Sequence, residues 1–368
     1  MRKLVTIRKI NNLIPIQNCD NIVLAIIDGW SVIVKKTEFQ IGDDCLFFEI
    51  DSFIPATDER FAFLKKTTTF EGKEGYRLKT MKMKGVLSQG LALPLSMFPE
   101  ITKPLEDYSD LLGIIKYDVA VQDFSQRPGL KSGKPKGSFP SFIPKTDQNR
   151  IQNLMHLFET HRDHEFEETL KLDGSSMTCY KVPKTPSFLA KVLSWFGKPL
   201  IDYHFGVCSR NLELSRDANQ VTVFDNQGKS SEYNQSDFWT MAIKAEIEKK
   251  LPIGYAVQGE LIGPKIQANH EKVSTLDYFI FDVFDIDAGL YLLPAERQVF
   301  CNKYGLQHVP VTNFRTKPFQ STLDELLKHV DTESMNPGTI SEGRVYKSLT
   351  QALSFKVINN RYLLKCEN

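Results

Sequence analysis

Three short apolar runs crowd the first fifty residues and limit what this chain can fold into. Ile22-Val23-Leu24-Ala25-Ile26-Ile27, Trp30-Ser31-Val32-Ile33-Val34 and Cys45-Leu46-Phe47-Phe48-Glu49-Ile50 are separated by Asp28-Gly29 and Gly42-Asp43. Runs of this kind between turn residues read as strands. Strands this short and this closely spaced predict a small antiparallel barrel. The opening residues Met1 to Ile7 also read as a strand and lack the apolar run of a signal peptide.

A chain of 368 residues is long for one domain, and two are expected. After the barrel pattern comes a basic, hairpin-like stretch carrying Lys73, Arg77, Lys79, Lys82 and Lys84. The run from Arg127 to Ser138 is rich in Pro, Gly, Ser and Lys, the composition of a linker. Helical patterning resumes from Asn149 to Glu159. Beyond it, β-runs alternate with amphipathic segments at Phe238 to Lys250 and Leu323 to Val330. The expected division is a docking domain over 1–125, a linker over 126–144 and a catalytic domain over 145–368. The fold class is α+β.

Net charge is +1, so any surface for a polyanion must come from local clusters of Lys and Arg. No stretch is long and apolar enough to span a bilayer, and no membrane partner is expected. Six scattered cysteines form no C-x-x-C pair, so they read as reduced thiols in an intracellular compartment. His156, His161 and His164 lack a carboxylate or cysteine complement and read as surface histidines. Gly228-Lys229-Ser230 fails as a phosphate loop because Val223 stands where the first glycine is required.

The chemistry centres on Lys171-Leu172-Asp173-Gly174-Ser175. On a strand, residues two apart share a face. Leu170 and Leu172 then point into a core, Lys171 and Asp173 point together out of it, and Asp-Gly makes a tight turn. Alone, Lys-x-Asp-Gly occurs in many unrelated chains as an exposed pair. Here five more segments follow in order: Ser209-Arg210-Asn211, Gln258 to Gly263, Tyr278 to Asp285, Ser341 to Lys347 and Ser354 to Ile358.

In that order the chain resembles the covalent nucleotidyltransferase superfamily of DNA ligases, RNA ligases and capping enzymes, with motifs I, Ia, III, IIIa, IV and V. The resemblance implies a domain of ATP-grasp-like antiparallel sheets with helices, and ATP as co-substrate with Mg2+ or Mn2+. It implies that Lys171 attacks the ATP α-phosphate and becomes lysyl-AMP, a covalent intermediate. Free lysine has a pKa near ~10.4, and lowering it by about three units costs about 4 kcal/mol. A divalent cation on Asp173, Glu260 and Glu342, direct or through waters, supplies such a shift. Phe281 matches the aromatic that stacks on adenine, Lys356 the lysine on the α-phosphate, and Arg210 the arginine near the ribose. The sequence departs from the pattern in three places. Ser354 and Ile358 flank Lys356 where a second lysine is common, Arg344 and Lys347 are candidates for the missing charge, and Thr169 replaces a frequent glutamate.

An extra domain ahead of motif I, and none expected behind motif V, resembles the RNA ligase family found in Deinococcus and Naegleria. The segments Lys145 to Asn153 and Phe355 to Lys365 resemble that family too. The resemblance implies an N-terminal oligonucleotide-binding (OB) domain, an active-site role for Arg150, and RNA repair by sealing 3′-OH/5′-phosphate nicks. The expected partner is a nicked RNA-containing duplex bound by a monomer, with Lys73, Arg77, Lys79, Lys82 and Lys84 on its phosphates. The barrel is expected to dock nucleic acid and to leave chemistry to the second domain. The alternatives are a DNA ligase or capping-type transferase, separated by ATP against GTP, or a non-catalytic nucleic-acid-binding relative.

Overall fold

The computed structural model describes residues 2–117, 133–184, 203–216, 221–224, 230–233 and 236–365. The expected boundary at 125/126, the first half of the run from Arg127, Gly228-Lys229 and Cys366 lie outside the described residues.

The first half is a barrel of short antiparallel strands. β1 (Val5–Lys9), β2 (Asn12–Pro15), β3 (Ile22–Ile27), β4 (Trp30–Lys35), β5 (Asp44–Phe48) and β6 (Ser52–Pro55) come first. β7 (Thr68–Phe70), β8 (Lys73–Arg77), β9 (Thr80–Met83), β10 (Val86–Gln89), β11 (Leu91–Pro94) and β12 (Ile115–Lys116) complete it. They pair as β1-β5-β11, β2-β3-β4, β9-β10 and β12-β6-β8-β7. The three runs read from sequence are β3, β4 and β5. Val23, Ala25 and Ile27 alternate inward on β3, and Trp30, Val32 and Val34 do so on β4. Asp28-Gly29 is the two-residue loop between them, with Ile27 opposite Trp30. The basic stretch divides: Lys73 and Arg77 belong to β8, while Lys82 and Lys84 belong to the β9–β10 hairpin. That hairpin turns on Lys84 (φ 51) and Gly85 (φ 85), left-handed positions suited to a two-residue loop.

The second half consists of two packed sheets. β13 (Pro135–Ser138), β16 (Ser175–Pro183), β17 (Tyr203–Cys208), β18 (Leu212–Leu214), β21 (Tyr255–Ile262), β22 (Asp277–Asp285) and β23 (Leu290–Tyr291) make a seven-stranded sheet in the order β13-β18-β17-β16-β21-β22-β23. β14 (Asn149–Arg150), β15 (Phe166–Lys171), β24 (Val311–Thr316), β25 (Gly343–Ser348) and β26 (Ser354–Ile358) make a five-stranded sheet in the order β14-β26-β25-β15-β24. A separate hairpin joins β19 (Val221–Phe224) to β20 (Ser230–Tyr233). Helices Asp237–Lys244 and Pro294–Tyr304 cover the larger sheet, burying Phe238, Trp239, Phe300 and Cys301. Thr322 and Glu325 form a capping box that starts Leu323–His329 over the smaller one.

Three expectations change. Pro135–Ser138, inside the stretch read as linker, is an edge strand on β18, because its backbone finds a partner there that composition does not reveal. Asn149 to Glu159 is not one helix. Asn149 and Arg150 pair in parallel with Phe355 and Lys356, and short helical turns follow at Ile151–Asn153 and Leu157–Thr160. Long-range pairing outweighs local helix propensity here. Asp173-Gly174 is not a hairpin turn. β15 pairs with β24 and β25, and β16 with β17 and β21, so the chain crosses between sheets at this point. Glycine is needed because a Cβ at Gly174 would lie 2.4 Å from the Leu261 carbonyl oxygen.

The barrel is fastened to the second half. Ile358, Tyr362 and Leu363 sit in the same apolar cluster as Trp30, Val32 and Phe47. A Cβ on Gly29 would lie 2.7 Å from Gln152 Cα, so the β3–β4 loop approaches the second half at backbone distance. Trp30 Nε1 donates to Asn153 Oδ1 at 2.8 Å, and Asn153 Nδ2 donates to buried Glu49 at 2.7 Å.

Candidate active site

Where the two sheets meet the barrel lies a cleft of about 530 Å³. Leu170 and Leu172 are buried against Ile262, Phe279 and Val309, and Lys171 and Asp173 line the cleft beside them. Lys171 ends β15 opposite Gly343, and its Nζ donates to Glu342 Oε1 at 2.5 Å. Glu260 on β21 lines the same cleft.

Three carboxylates therefore face one ammonium. Burial lowers the Lys171 pKa, but Glu342, Glu260 and Asp173 outweigh it and hold the group above the ordinary lysine range. Burial, reinforced by repulsion from Glu342, pushes Asp173 up to about 8. Glu260 is likewise pushed up to about 8, against the pull of Lys171. The excess of negative charge suits a divalent cation. Among the described residues no three His, Cys, Asp or Glu side chains stand close enough to grip a bare ion. Oxygen donors of this kind fit a magnesium-like cation, which keeps several of its waters. With a cation on these carboxylates, the influences that raise the Lys171 pKa would weaken.

Phe281 lies on β22 at a bulge. Gln258 pairs with Asp282 and Gly259 with Ile280, so Phe281 has no ladder partner. Bulges re-aim side chains beside sites, and Phe281 lines the cleft half-buried. Lys347 Nζ donates to Phe281 O and Asp282 Oδ1 and stands 5.6 Å from the Phe281 ring centroid. Burial pushes Lys347 down to about 8, against the pull of Asp282. Of the two candidates for the missing charge, Lys347 lines the cleft and Arg344 does not. Strand alternation turns Arg344 to the other face, where it meets Ser341, Thr332 and Glu168.

Lys356 on β26 donates to Asp147 Oδ1 at 2.9 Å. Burial, with Lys171 and Arg150 nearby, pushes Lys356 down to about 8. Arg210, in the β17–β18 loop, stands 3.9 Å from Asp147. Arg150 is 5 % exposed, reaches Asp51 at 3.5 Å, and leaves its buried Nε and Nη1 without a partner. Thr169 lines the cleft, with its hydroxyl on Val345 O.

The barrel also enters the cleft. Arg2, Asp51, Arg77, Lys116 and Tyr117 line it. Asp51 takes a left-handed backbone (φ 67) and receives Arg2, Arg77 and Arg150. Of the five basic residues singled out, Arg77 lies here, over the Tyr117 ring. Lys73, Lys82 and Lys84 are exposed elsewhere on the barrel, and Lys79 is half-buried. Sequence reasoning missed Arg2, Asp51, Lys116, Asp147, His270 and Glu271. Asp147 sat in a segment already singled out. His270 approaches Asp173 at 3.5 Å, and Glu271 accepts the Asp173 backbone N–H. Neither carried a motif.

A model of the RNA ligase family matches residues 164–365, and an OB-fold domain model matches residues 4–95. A mutant of Naegleria gruberi RNA ligase with ATP and Mn is 36 % identical, with a TM-score of 0.82 and 100 % of both chains covered. A second mutant, with AMP and Mn, is 36 % identical with a TM-score of 0.81, covering 98 % of each chain. The Naegleria enzyme with PPi is 36 % identical, with a TM-score of 0.81, covering 99 % of this chain and 98 % of that one. No curated protein matches. Fold and comparisons together define an enzyme, a ligase with an OB-fold domain ahead of its catalytic sheets. The chain belongs to the RNA ligase family. Among the described residues no helix is long and apolar enough to cross a membrane.

Proposed function

We infer that this RNA ligase uses ATP and a divalent cation to seal 3′-OH/5′-phosphate breaks in RNA, with Lys171 as the adenylated residue. The observation that carries the reading is Lys171 at a strand end, 2.5 Å from Glu342, in a cleft shared with Asp173, Glu260, Phe281 and Lys356. The neutral Lys171 amine attacks the α-phosphorus, a P–N bond forms, the bond to the pyrophosphate oxygen breaks and the lysine proton is lost. Asp173, Glu260 and Glu342 would hold the cation through its waters. When bound, it would draw charge from the carboxylates and stabilise charge developing on the phosphate. Phe281 offers a face for adenine, Lys356 a charge for the α-phosphate, and Arg150 two unpartnered donors for a phosphate oxygen. The AMP then passes to the RNA 5′-phosphate, and the 3′-OH displaces it.

Labelling with α-labelled ATP and magnesium or manganese, followed by denaturing electrophoresis, tests this reading. Wild type is expected to retain label and Lys171→Met to lose it. Labelling of the mutant removes the assignment, and labelling with GTP alone favours a capping-type transferase. The preferred substrate is a nicked duplex with ribose on the 3′-OH side, as in RNA repair, because the 2′-OH distinguishes RNA from DNA locally. Equal sealing of all-DNA and RNA-ended nicks would refute that preference.

A further inference from the structure

Asp147 has no part in the chemistry above, yet it stands among the cations of the cleft. Its Oδ1 accepts from Lys356 Nζ at 2.9 Å and its Oδ2 from Lys116 Nζ at 2.9 Å, with Arg210 Nη2 3.9 Å away. Lys356 belongs to β26, Lys116 to β12 of the barrel, and Arg210 to the β17–β18 loop. One carboxylate thus joins both halves of the molecule at the cleft. Two ammonium groups within reach of one carboxylate repel each other, and the repulsion is stronger away from bulk water. A negative charge between them permits both to stay. Burial raises the Asp147 pKa, but Lys356 and Lys116 overcome it and hold the group well below the usual carboxylate range.

We propose that Asp147 is a positioning residue that bridges Lys356 of the catalytic sheet and Lys116 of the barrel, setting the two side by side as a seat for a phosphate group of the nucleotide. The inference rests on the nucleotide reading above. A surface ion pair would do neither of two things that this bridge does. It orients a group that touches substrate, and it keeps that group charged. Lys356 faces Asp147, Lys171 and Arg150, and Asp147 faces Lys116, Lys356 and Arg210. Asp147 opposes the influences that bring Lys356 down to about 8. A lysine is charged below its pKa, so removing the Asp147 charge narrows the range in which Lys356 can hold a phosphate.

The test is lysyl-AMP formation in the full chain at varied ATP concentration and pH, comparing wild type, Asp147→Asn, Asp147→Glu and Lys116→Met. Asp147→Asn is expected to raise KM for ATP about tenfold, the scale of a lost charge-assisted contact. It should also move the alkaline limb of kcat/KM about one pH unit lower, as expected when a neighbouring opposite charge is lost. Asp147→Glu should restore most of both. Lys116→Met, on a side chain one-third exposed, should raise KM on its own. Adding it to Asp147→Asn should cost little more, because both remove one bridge. An unshifted limb with unchanged KM in Asp147→Asn, or strictly additive effects, would overturn the bridge. Wild type that takes no label from ATP would overturn the nucleotide reading itself, and the inference with it.

Discussion

Removing the barrel tests how the two halves depend on each other. Tyr362 and Leu363 belong to the last described helix, yet they are 5 % and 1 % exposed within the barrel's apolar cluster, where Ile358 is 3 % exposed. A fragment over 133–365 would uncover them. Burying a large apolar side chain stabilises by about 1.5–3 kcal/mol, so three uncovered together cost roughly 4.5–9 kcal/mol. That is comparable with the whole stability of a typical domain, about 5–15 kcal/mol. The same cut removes Asp51 from Arg150 and takes Arg2, Arg77 and Lys116 from the cleft. The fragment is therefore expected to unfold at much lower urea than the full chain. Any folded portion should label with α-labelled ATP at least tenfold more slowly, roughly the worth of one charged contact. Urea unfolding followed by circular dichroism, with labelling in parallel, measures both. A fragment matching the full chain in midpoint and labelling rate would refute the argument and return the barrel to a docking role alone.

Gly343→Ala places a Cβ 2.1 Å from the Val357 carbonyl oxygen at φ +152, so a loss of about 2–5 kcal/mol from strain and overpacking should appear as a lower urea midpoint. Labelling should fall with it, because Gly343 is the ladder partner of Lys171; an unchanged midpoint would show that β25 and β26 can separate cheaply. Phe281→Leu should raise KM for ATP several-fold with little change in kcat, since an aromatic contact contributes about 0.5–1.5 kcal/mol; an unaltered KM would remove Phe281 from the adenine face. The double change Lys82→Glu and Lys84→Glu should leave lysyl-AMP formation intact. It should weaken RNA binding about tenfold at moderate salt with a shallower salt dependence, and unchanged binding would place the exposed hairpin off the RNA path.

Much of the fold could be read from local pattern. The strands β3, β4 and β5 followed from apolar runs between turn residues, and the helix at 323–329 from an amphipathic pattern, whereas the amphipathic stretch 238–250 is two helices, Asp237–Lys244 and Ile247–Lys250, broken at left-handed Glu246. Lys171, Asp173, Glu260, Phe281, Glu342 and Lys356 were named from motif order, and the structure brings all six to one cleft. The barrel's share of that cleft was not legible. Arg2, Asp51 and Lys116 sit in ordinary strand and turn contexts, and nothing nearby in sequence marks them as facing Arg150 or Asp147.

What the sequence determined by itself is what short-range physics encodes: side-chain periodicity, turn residues and reactive residue types at set spacings. It was enough to predict a small antiparallel barrel ahead of a second domain, and the order of its motifs carried the resemblance that singles out Lys171. Only the tertiary structure decided how distant segments meet. The pairing of Arg150 beside Lys356 overrode a helical pattern, and a strand-to-strand crossing replaced the turn at Asp173-Gly174. Burial of Ile358, Tyr362 and Leu363 in the barrel carried its cations to the catalytic sheet. These outcomes depend on contacts between residues far apart in the chain. Their free energy comes from burial and from charges held away from water, and a local window of residues contains neither.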